Sequence, residues 1–204
     1  MKGMLVVCAM GMEAKAMPAG YRVVQCGPGF RAARAAVERA IDEEAPRMVI
    51  SAGTCGALDP GLVVGEVRMV TRIDSPLGEF FPKPLRAMGA VLRSQDRVAV
   101  TAVEKRVLFE SGCGIVDMEA AAVAAVCVER GVAFGSLKVV SDSALEDLPI
   151  DFNLYRDEAG QFKTARIAFA GIMKISDLMR LRRQSLHAVQ QLGAAIETSL
   201  ADIT

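Results

Sequence analysis

The sequence predicts an α/β protein, a three-layer α/β/α sandwich with a central mixed sheet, and two observations carry this prediction. The run Leu5–Met10 is continuously apolar, which is typical of a strand buried on both faces. The segment Arg31–Glu44 places Ala33, Val37 and Ile41 four residues apart, which gives a helix one apolar face. Segments of these two kinds alternate along the chain, as they do in layered α/β folds.

The remaining elements follow the same alternation. Strands are predicted at Tyr21–Cys26, Arg47–Ser51, Val67–Ile73, Arg97–Thr101 and Ala133–Ser141. Helices are predicted at Met118–Arg130, which is almost wholly apolar, and as a pair over Gln161–Leu200. The other assignments are a loop at Asp74–Leu92 and a helix start with a capping box at Ser143–Glu146. Gly53–Gly56 lies at a predicted strand end, where glycines either let a ligand approach the backbone closely or form a plain turn, the commoner case.

Composition limits the class of protein. A chain of 204 residues suits one domain, 1–204, with a sizeable core. A net charge of zero gives no electrostatic reason to expect nucleic acid as a partner. The apolar runs fall short of the roughly 20 residues that cross a bilayer, so a cytoplasmic protein is expected.

Cysteine and histidine usage narrows the chemistry further. The five cysteines are odd in number and include no Cys-x-x-Cys pair, so reduced thiols are expected. The single histidine, His187, argues against a histidine-ligated metal and excludes any mechanism that needs two histidines. We therefore expect neither a metal nor a bound cofactor.

A glycine-containing loop lies between the second predicted strand and the first predicted helix. Gly27, Gly29 and Ala32 satisfy the dinucleotide fingerprint G-x-G-x-x-A. That fingerprint also needs an acid at the end of the next strand, where this chain has Ser51, so a dinucleotide site is disfavoured. Two interpretations have equal weight: an anion site at the helix N-terminus with Arg31 beside it, and a plain tight turn.

Acidic residues stand at three junctions between predicted elements. Asp117 and Glu119 open the apolar helix, where the helix dipole explains them without any function. Ser141 and Asp142 follow a buried strand, where polar residues usually serve a turn. Glu13 follows the first strand, where a surface carboxylate is the usual case. Each signal is weak alone, and the order and spacing give them weight together.

That order resembles the nucleoside phosphorylase and methylthioadenosine/adenosylhomocysteine nucleosidase family. The resemblance runs from Leu5 to Asp142 and is most specific in the runs Asp117–Ala120 and Ser141–Asp142. Glu13, the Gly-x-Gly loop and the run Gly53–Leu58 also carry it. It implies a purine phosphorylase-like fold and cleavage of the N-glycosidic bond of a purine nucleoside.

The resemblance also implies roles for individual residues. Glu119 would bind the ribose hydroxyls, with Met118 packed on the sugar. Asp142 would protonate N7 of the leaving purine, with Ser141 orienting it, and Glu13 would activate water as in the hydrolases of the family. The chemistry agrees, because a carboxylate stabilises an oxocarbenium-like sugar and a general acid helps the purine to leave.

The nucleophile pocket is predicted from a second set of positions. Thr54 matches the Ser/Thr of that pocket, Gly53 precedes it, and Lys138 stands where the family usually has Arg. Phosphate binding is predicted for Gly27, Gly29, Arg31 and Thr54. Phosphate is thus the expected co-substrate, and water is the alternative acceptor.

The C-terminal segment, 161–204, is predicted to be helical and basic. Between Lys163 and Arg183 it has six Lys and Arg residues against one Asp, interleaved with apolar side chains. Three features together resemble the hopanoid-associated phosphorylases, which remove adenine from the lipid nucleoside adenosylhopane. They are this basic segment, the short region between Ile73 and Gly112, and the run Gly27–Gly29. This narrower resemblance favours phosphorolysis and predicts peripheral contact with the inner face of a membrane. A solvated basic face is the competing interpretation.

Two other classes of protein stay open at this point. A dinucleotide-dependent oxidoreductase would use Gly27–Ala32, and a non-catalytic purine-binding module would keep the pocket without the chemistry. Release of free adenine separates the favoured class from both. For the favoured class, a homo-oligomer is expected.

Overall fold

The computed structural model describes residues 3–157, 162–163, 167 and 174–200. The strands are β1 (Met4–Cys8), β2 (Arg22–Gln25), β3 (Met48–Ala57), β4 (Val67–Ser75), β5 (Gly78–Phe80), β6 (Met88–Ser94), β7 (Ile115–Asp117) and β8 (Ala133–Asp142). The α-helices are α1 (Gly11–Ala16), α2 (Phe30–Glu44), α3 (Ala102–Glu110), α4 (Ala120–Arg130) and α5 (Ile175–Leu200). A 3₁₀ turn covers Phe152–Tyr155.

The strands form one mixed sheet. Its order is β2–β1–β3–β7–β6–β4–β5, and β8 pairs with both β3 and β4. β3 runs parallel to β1 and β8 but antiparallel to β7, whereas β4 runs parallel to β6 and antiparallel to β5 and β8. Because β8 joins β3 to β4 on one side while β7 and β6 join them on the other, the strands β3, β8, β4, β6 and β7 close into a ring.

Helices cover both faces of the sheet next to β1. Leu5 and Val7 pack into a core with α2 and α4, whereas Val6 packs into a second core with α5. This alternation follows from the period of two in a strand, and it explains why the whole run is apolar. The predicted three-layer sandwich with a mixed sheet is therefore confirmed.

The predicted strand at Arg97–Thr101 is wrong. The amides of Val98 and Val100 donate to the side chains of Asn153 and Glu104 rather than to a neighbouring strand. Thr101, the last residue of the segment, instead caps α3, because its hydroxyl accepts a hydrogen bond from the Glu104 amide. Alternating valines imitate a strand here, and they concealed α3, a helix that the sequence analysis did not predict.

Two predicted assignments in the middle of the chain, a loop and a turn, are also wrong. The stretch Asp74–Leu92 was expected to be a loop, but it contains β5 and most of β6, and Gly78 with φ of 122° starts the β5 arm of the hairpin. Gly53–Gly56 was expected to be a turn, but it lies within β3. β3 continues through these glycines because β8 pairs with it from Met48 to Gly56.

The predicted helix start at Ser143–Glu146 forms a turn instead. The carbonyl oxygens of Ser143 and Glu146 accept hydrogen bonds from the ammonium of Lys105, so they do not form the first turn of a helix. The helix predicted from Met118 begins at Ala120.

The C-terminal prediction is covered only in part. Within the predicted pair of helices over 161–200, the described residues include the helix α5, whereas 161, 164–166 and 168–173 lie outside them. α5 is buried along its C-terminal half, where Ala188, Leu192 and Ile196 enter the second core, and is mostly exposed before that. In the part of the chain that the structure describes, no helix has the length and apolar character needed to cross a membrane.

Candidate active site

A cavity of about 340 Å³ opens at the ends of β1 and β8, next to the glycines of β3 and the start of α4. The predicted site residues that line it are Glu13, Gly53, Thr54, Met118, Glu119, Lys138, Ser141 and Asp142. A cavity of this size suits a small-molecule ligand. The three acids that the sequence analysis singled out for catalysis thus face one space from three different elements.

Glu13 is a buried carboxylate and not the surface group that its position in the sequence favours. Its Oε1 accepts hydrogen bonds from the amide and the hydroxyl of Thr54, at 2.7 and 2.8 Å, and its Oε2 accepts from the amide of Met10 at 2.9 Å. Gly53 permits this approach, because a Cβ there would lie 3.0 Å from Oε1. A carboxylate has about four acceptor positions, so one remains for a ligand or water.

Glu119 lies directly before α4 and accepts a hydrogen bond from the amide of Gly29 at 2.9 Å. Burial raises the pKa of Glu119 from 4.5 to about 8, and the nearby Asp117 adds to the rise, while Lys138 and the Gly29 amide oppose it. A positive charge formed beside it would favour its ionised form.

Gly29 explains the conformation of the glycine loop. It has φ of 89°, in the region that glycine adopts without strain, and a Cβ there would lie 2.6 Å from a carboxylate oxygen of Asp96. Its amide is thereby aimed at Glu119. The loop is therefore more than a tight turn, because it holds an acid of the cavity in place.

A buried ion pair forms part of the cavity wall. The ammonium of Lys138 lies 2.7 Å from Oδ2 of Asp117 and donates to the hydroxyl of Ser51 at 3.1 Å. Burial alone would lower the pKa of Lys138, but Asp117 and Glu119 outweigh burial and raise it. Lys138 thus remains a cation and ties β8 to the end of β7.

Asp142 ends β8 at the cavity wall. Its Oδ1 lies 2.9 Å from the hydroxyl oxygen of Ser141, which can instead donate to the carbonyl of Cys55 at 3.1 Å. Its Oδ2 lies 2.6 Å from the ammonium of Lys105, a residue of α3. Lys105 is not predicted from the sequence, because the helix that carries it is not predicted either.

Aromatic and aliphatic side chains form another part of the cavity, and the sequence analysis identified none of them. They are Val98, Ala99, Val116, Leu148, Phe152 and Phe162. The rings of Phe152 and Phe162 meet edge to face, with centroids 6.2 Å apart. Neither ring lies in a helix or strand with a recognisable period, so no pattern in the sequence pointed to them. A flat base would find stacking partners here.

The residues predicted to bind phosphate are only partly brought to the cavity. Thr54 lines it, whereas the described lining does not include Gly27, Gly29 or Arg31, and the Arg31 side chain is exposed. The amide of Gly27 donates to a backbone carbonyl and that of Gly29 to a carboxylate. These two amides therefore already have acceptors within the protein.

Thiol nucleophiles are not offered by this site. Cys26 and Cys55 line the cavity, and burial raises the pKa of Cys26 to about 12 and that of Cys55 well above its usual value. All five cysteines are unpaired. Among the described residues, no group of three or more His, Cys, Asp or Glu side chains has a geometry that could hold a metal ion.

Comparison with known proteins shows which proteins this chain resembles. The sequence profile of the Phosphorylase superfamily matches residues 81–175. The 5′-methylthioadenosine/S-adenosylhomocysteine nucleosidase of Shewanella oneidensis is 27% identical over 175 residues, covering 68% of this chain and 73% of that protein. The corresponding nucleosidase of Shewanella sp. MR-7 is 26% identical with the same coverage.

Solved structures share the fold. A mutant of the Helicobacter pylori methylthioadenosine nucleosidase with 5′-methylthioadenosine in its active site has a TM-score of 0.74 at 15% identity, with 100% of both chains covered. Native futalosine hydrolase of Helicobacter pylori has a TM-score of 0.73 at 15% identity, covering 98% of this chain and 97% of that one. The chain is thus similar to the phosphorylase superfamily over residues 81–175 and to nucleosidases over about two thirds of its length, and both similarities support an enzyme that cleaves nucleosides.

Proposed function

We propose that the protein hydrolyses the N-glycosidic bond of an adenine nucleoside. The observation that carries this proposal is the buried Glu13 carboxylate, bonded to Thr54 on the wall shared with Glu119 and Asp142. The curated relatives are nucleosidases by name, which supports cleavage of purine nucleosides. The dinucleotide-dependent oxidoreductase gains no support from these comparisons.

Water is the acceptor that this wall favours. Glu13 is placed to accept a proton from a water molecule through its remaining acceptor position. The same carboxylate would repel a phosphate ion bound at Thr54. Phosphate, the acceptor that the sequence favours, has one observation on its side, the Lys138 cation in the lining, but Asp117 neutralises that charge.

Glu119 supplies the charge that the reaction needs at the sugar. Cleavage gives the ribose oxocarbenium character, and a carboxylate next to it stabilises that charge. Lys138 and the Gly29 amide favour the ionised form of Glu119, and a positive sugar beside it would favour that form further. Met118 lines the same part of the cavity and provides an apolar surface for the sugar.

Asp142 and the phenylalanines serve the leaving base. An adenine stacked near Phe152 and Phe162 would present N7 to Asp142, and protonation there makes the base a better leaving group. Ser141 holds one oxygen of that carboxyl and so orients it.

The 5′ substituent would meet an apolar wall. Met10, Met12, Ile167 and Leu181 are among the residues that line the cavity. Such a wall suits an apolar 5′ group, and we propose that this group ranges from an alkylthio chain to the lipid of an adenosylhopane-like substrate. The predicted homo-oligomer and membrane contact stay predictions.

One incubation tests the reaction. Adenosine and methylthioadenosine are supplied separately, with and without inorganic phosphate, and free adenine and the sugar product are measured. Equal adenine release in both buffers with free sugar as product supports hydrolysis. A requirement for phosphate with a sugar phosphate as product would make the enzyme a phosphorylase. Tight adenine binding without any release would instead indicate a non-catalytic purine-binding module.

A further inference from the structure

Lys105 is a fully buried cation held against the end of β8. Its side chain is 1% exposed, and its ammonium lies 2.6 Å from Oδ2 of Asp142, 2.7 Å from the carbonyl oxygen of Ser143 and 3.2 Å from that of Glu146. Lysine is almost never fully buried unless its charge is paired. All three of its N–H groups are thus directed at the short segment that begins with Asp142.

The two oxygens of Asp142 therefore have separate partners. Oδ1 lies with the Ser141 hydroxyl, whereas Oδ2 contacts Lys105. A cation fixed on one oxygen stabilises the carboxylate that remains after the other oxygen has given up a proton. The same contact also fixes the direction in which the carboxyl points.

On the basis of the proposed function, we propose that Lys105 is the positioning residue for proton delivery by Asp142. The C1′–N9 bond breaks with its electron pair remaining on the purine, and the water oxygen bonds to C1′ in its place. The O–H bond of Asp142 breaks and its proton bonds to N7. Asp142 is left as a carboxylate, and the Lys105 ammonium 2.6 Å away compensates its charge. The proton that Glu13 accepts from water is released to solvent, and Asp142 regains a proton from solvent.

Charged and titratable groups on the neighbouring strands do not replace Lys105. Cys55 of β3 has its carbonyl oxygen beside the Ser141 hydroxyl, and burial raises the pKa of its thiol well above the usual value, so the thiol stays neutral. The charges of Lys138, Asp142 and Asp117 also act on that thiol. Lys138 is bonded to Asp117, so within the described residues Lys105 is the cation in contact with Asp142.

The test compares kcat across pH in the wild type and in Lys105→Met. Without the ammonium, kcat at acid pH should fall about tenfold to a hundredfold, the usual effect of a hydrogen bond to a charged group. Because the ammonium favours the ionised carboxyl, its loss should also move the alkaline limb of the profile to higher pH. If Lys105 had a purely structural role, Lys105→Met would lower kcat by the same factor at every pH.

Asp147→Ala is the matched control. The Asp147 carboxylate accepts a hydrogen bond from the Ala102 amide at 2.7 Å, so it anchors the same segment to the start of α3 without touching Asp142. Its loss should leave the shape of the pH profile as in the wild type. A Lys105→Met profile with that same shape would overturn the proposal.

A second comparison covers the case in which Lys105→Met does not fold. Asp142→Asn and the double variant Lys105→Met with Asp142→Asn are compared, since the amide needs no cation beside it. If Lys105 acts through Asp142, the two should have equal residual kcat, and a further tenfold loss in the double variant would contradict the proposal. A wild type that releases no base would refute the proposed function itself, before any variant is compared.

Discussion

Glu13 and Thr54 are joined by two hydrogen bonds that converge on one carboxylate oxygen, at 2.7 Å from the amide and 2.8 Å from the hydroxyl. The pair places a negative charge at the position where the family resemblance puts the nucleophile. A water molecule gains a base there, whereas a phosphate ion meets repulsion. Under the proposed hydrolysis, we expect these two residues to favour water over phosphate as the acceptor.

Glu13→Gln should abolish most hydrolysis while leaving the fold intact. The amide cannot accept a proton from water, so adenine release at pH 7 should fall about 10²–10⁴-fold, the usual range for general base catalysis. Thr54→Val removes only one of the bonds to Glu13 and should cost much less, about tenfold. Adenine release from methylthioadenosine is the measurement, and the exposed Glu43→Gln is the control. Activity of Glu13→Gln within a few-fold of wild type would remove Glu13 from the mechanism.

Asp142→Asn should fold and bind nucleoside but release the base slowly. The amide has no acidic proton for N7, so kcat should fall about 10²–10⁴-fold. Asp147→Asn, on the same segment but hydrogen-bonded to the Ala102 amide, should retain near wild-type kcat. If both variants lose activity equally, the effect arises from the loop rather than from Asp142. Thermal melting of both proteins checks their folding.

The site could be predicted where its residues form short runs at junctions between elements. Met118 and Glu119 precede a helix, Ser141 and Asp142 close a strand, and the structure brings these four to one cavity. Lys105 could not be found in this way, because it reaches Asp142 from 37 residues away and nothing local marks it as buried. Contacts of this kind depend on how α3 packs against the sheet. No regular spacing of apolar residues in the sequence reveals that packing.

The same limit applies to the fold. The buried strands β1 and β8 and the amphipathic α2 were predictable, because each has a clear apolar pattern. Arg97–Thr101 also alternates, but side chains of Asn153 and Glu104 take its amides, and this depends on residues far along the chain. Thr101 with Glu104 is a local capping signal that would have located α3.

The raised pKa of Glu119 predicts how stability changes with pH. Its pKa is about 8 in the folded chain against an ordinary 4.5, so between these values the folded state binds more protons than the unfolded state. The free energy of unfolding should therefore decrease as pH rises from 5 to 8. Urea midpoints at several pH values measure this, and Glu119→Gln should flatten the decrease whereas Glu43→Gln should not. An equally steep decrease in Glu119→Gln would show that other groups cause it.

α5 presents an exposed apolar face with cations beside it. Ile175, Met179 and Leu186 are 64%, 49% and 40% exposed, and their spacing of four and seven residues puts them on one side of the helix. Arg182 and Arg183 are exposed close to that side. An apolar stripe with adjacent cations suits the surface of an anionic membrane.

We predict that the protein binds anionic vesicles through this face of α5. Each cation near an anionic membrane contributes about 1 kcal/mol, so charge reversal of Arg180, Arg182 and Arg183 to Glu should abolish cosedimentation with phosphatidylserine vesicles. Reversal of three exposed arginines elsewhere, Arg39, Arg47 and Arg106, is the matched control and should leave binding largely intact. Binding of the wild type should weaken as salt rises, and adenosine cleavage should be unchanged in both variants. If the wild type fails to sediment with vesicles at low salt, the arginines form only a solvated surface, and the case for a lipid-linked substrate is weakened with it.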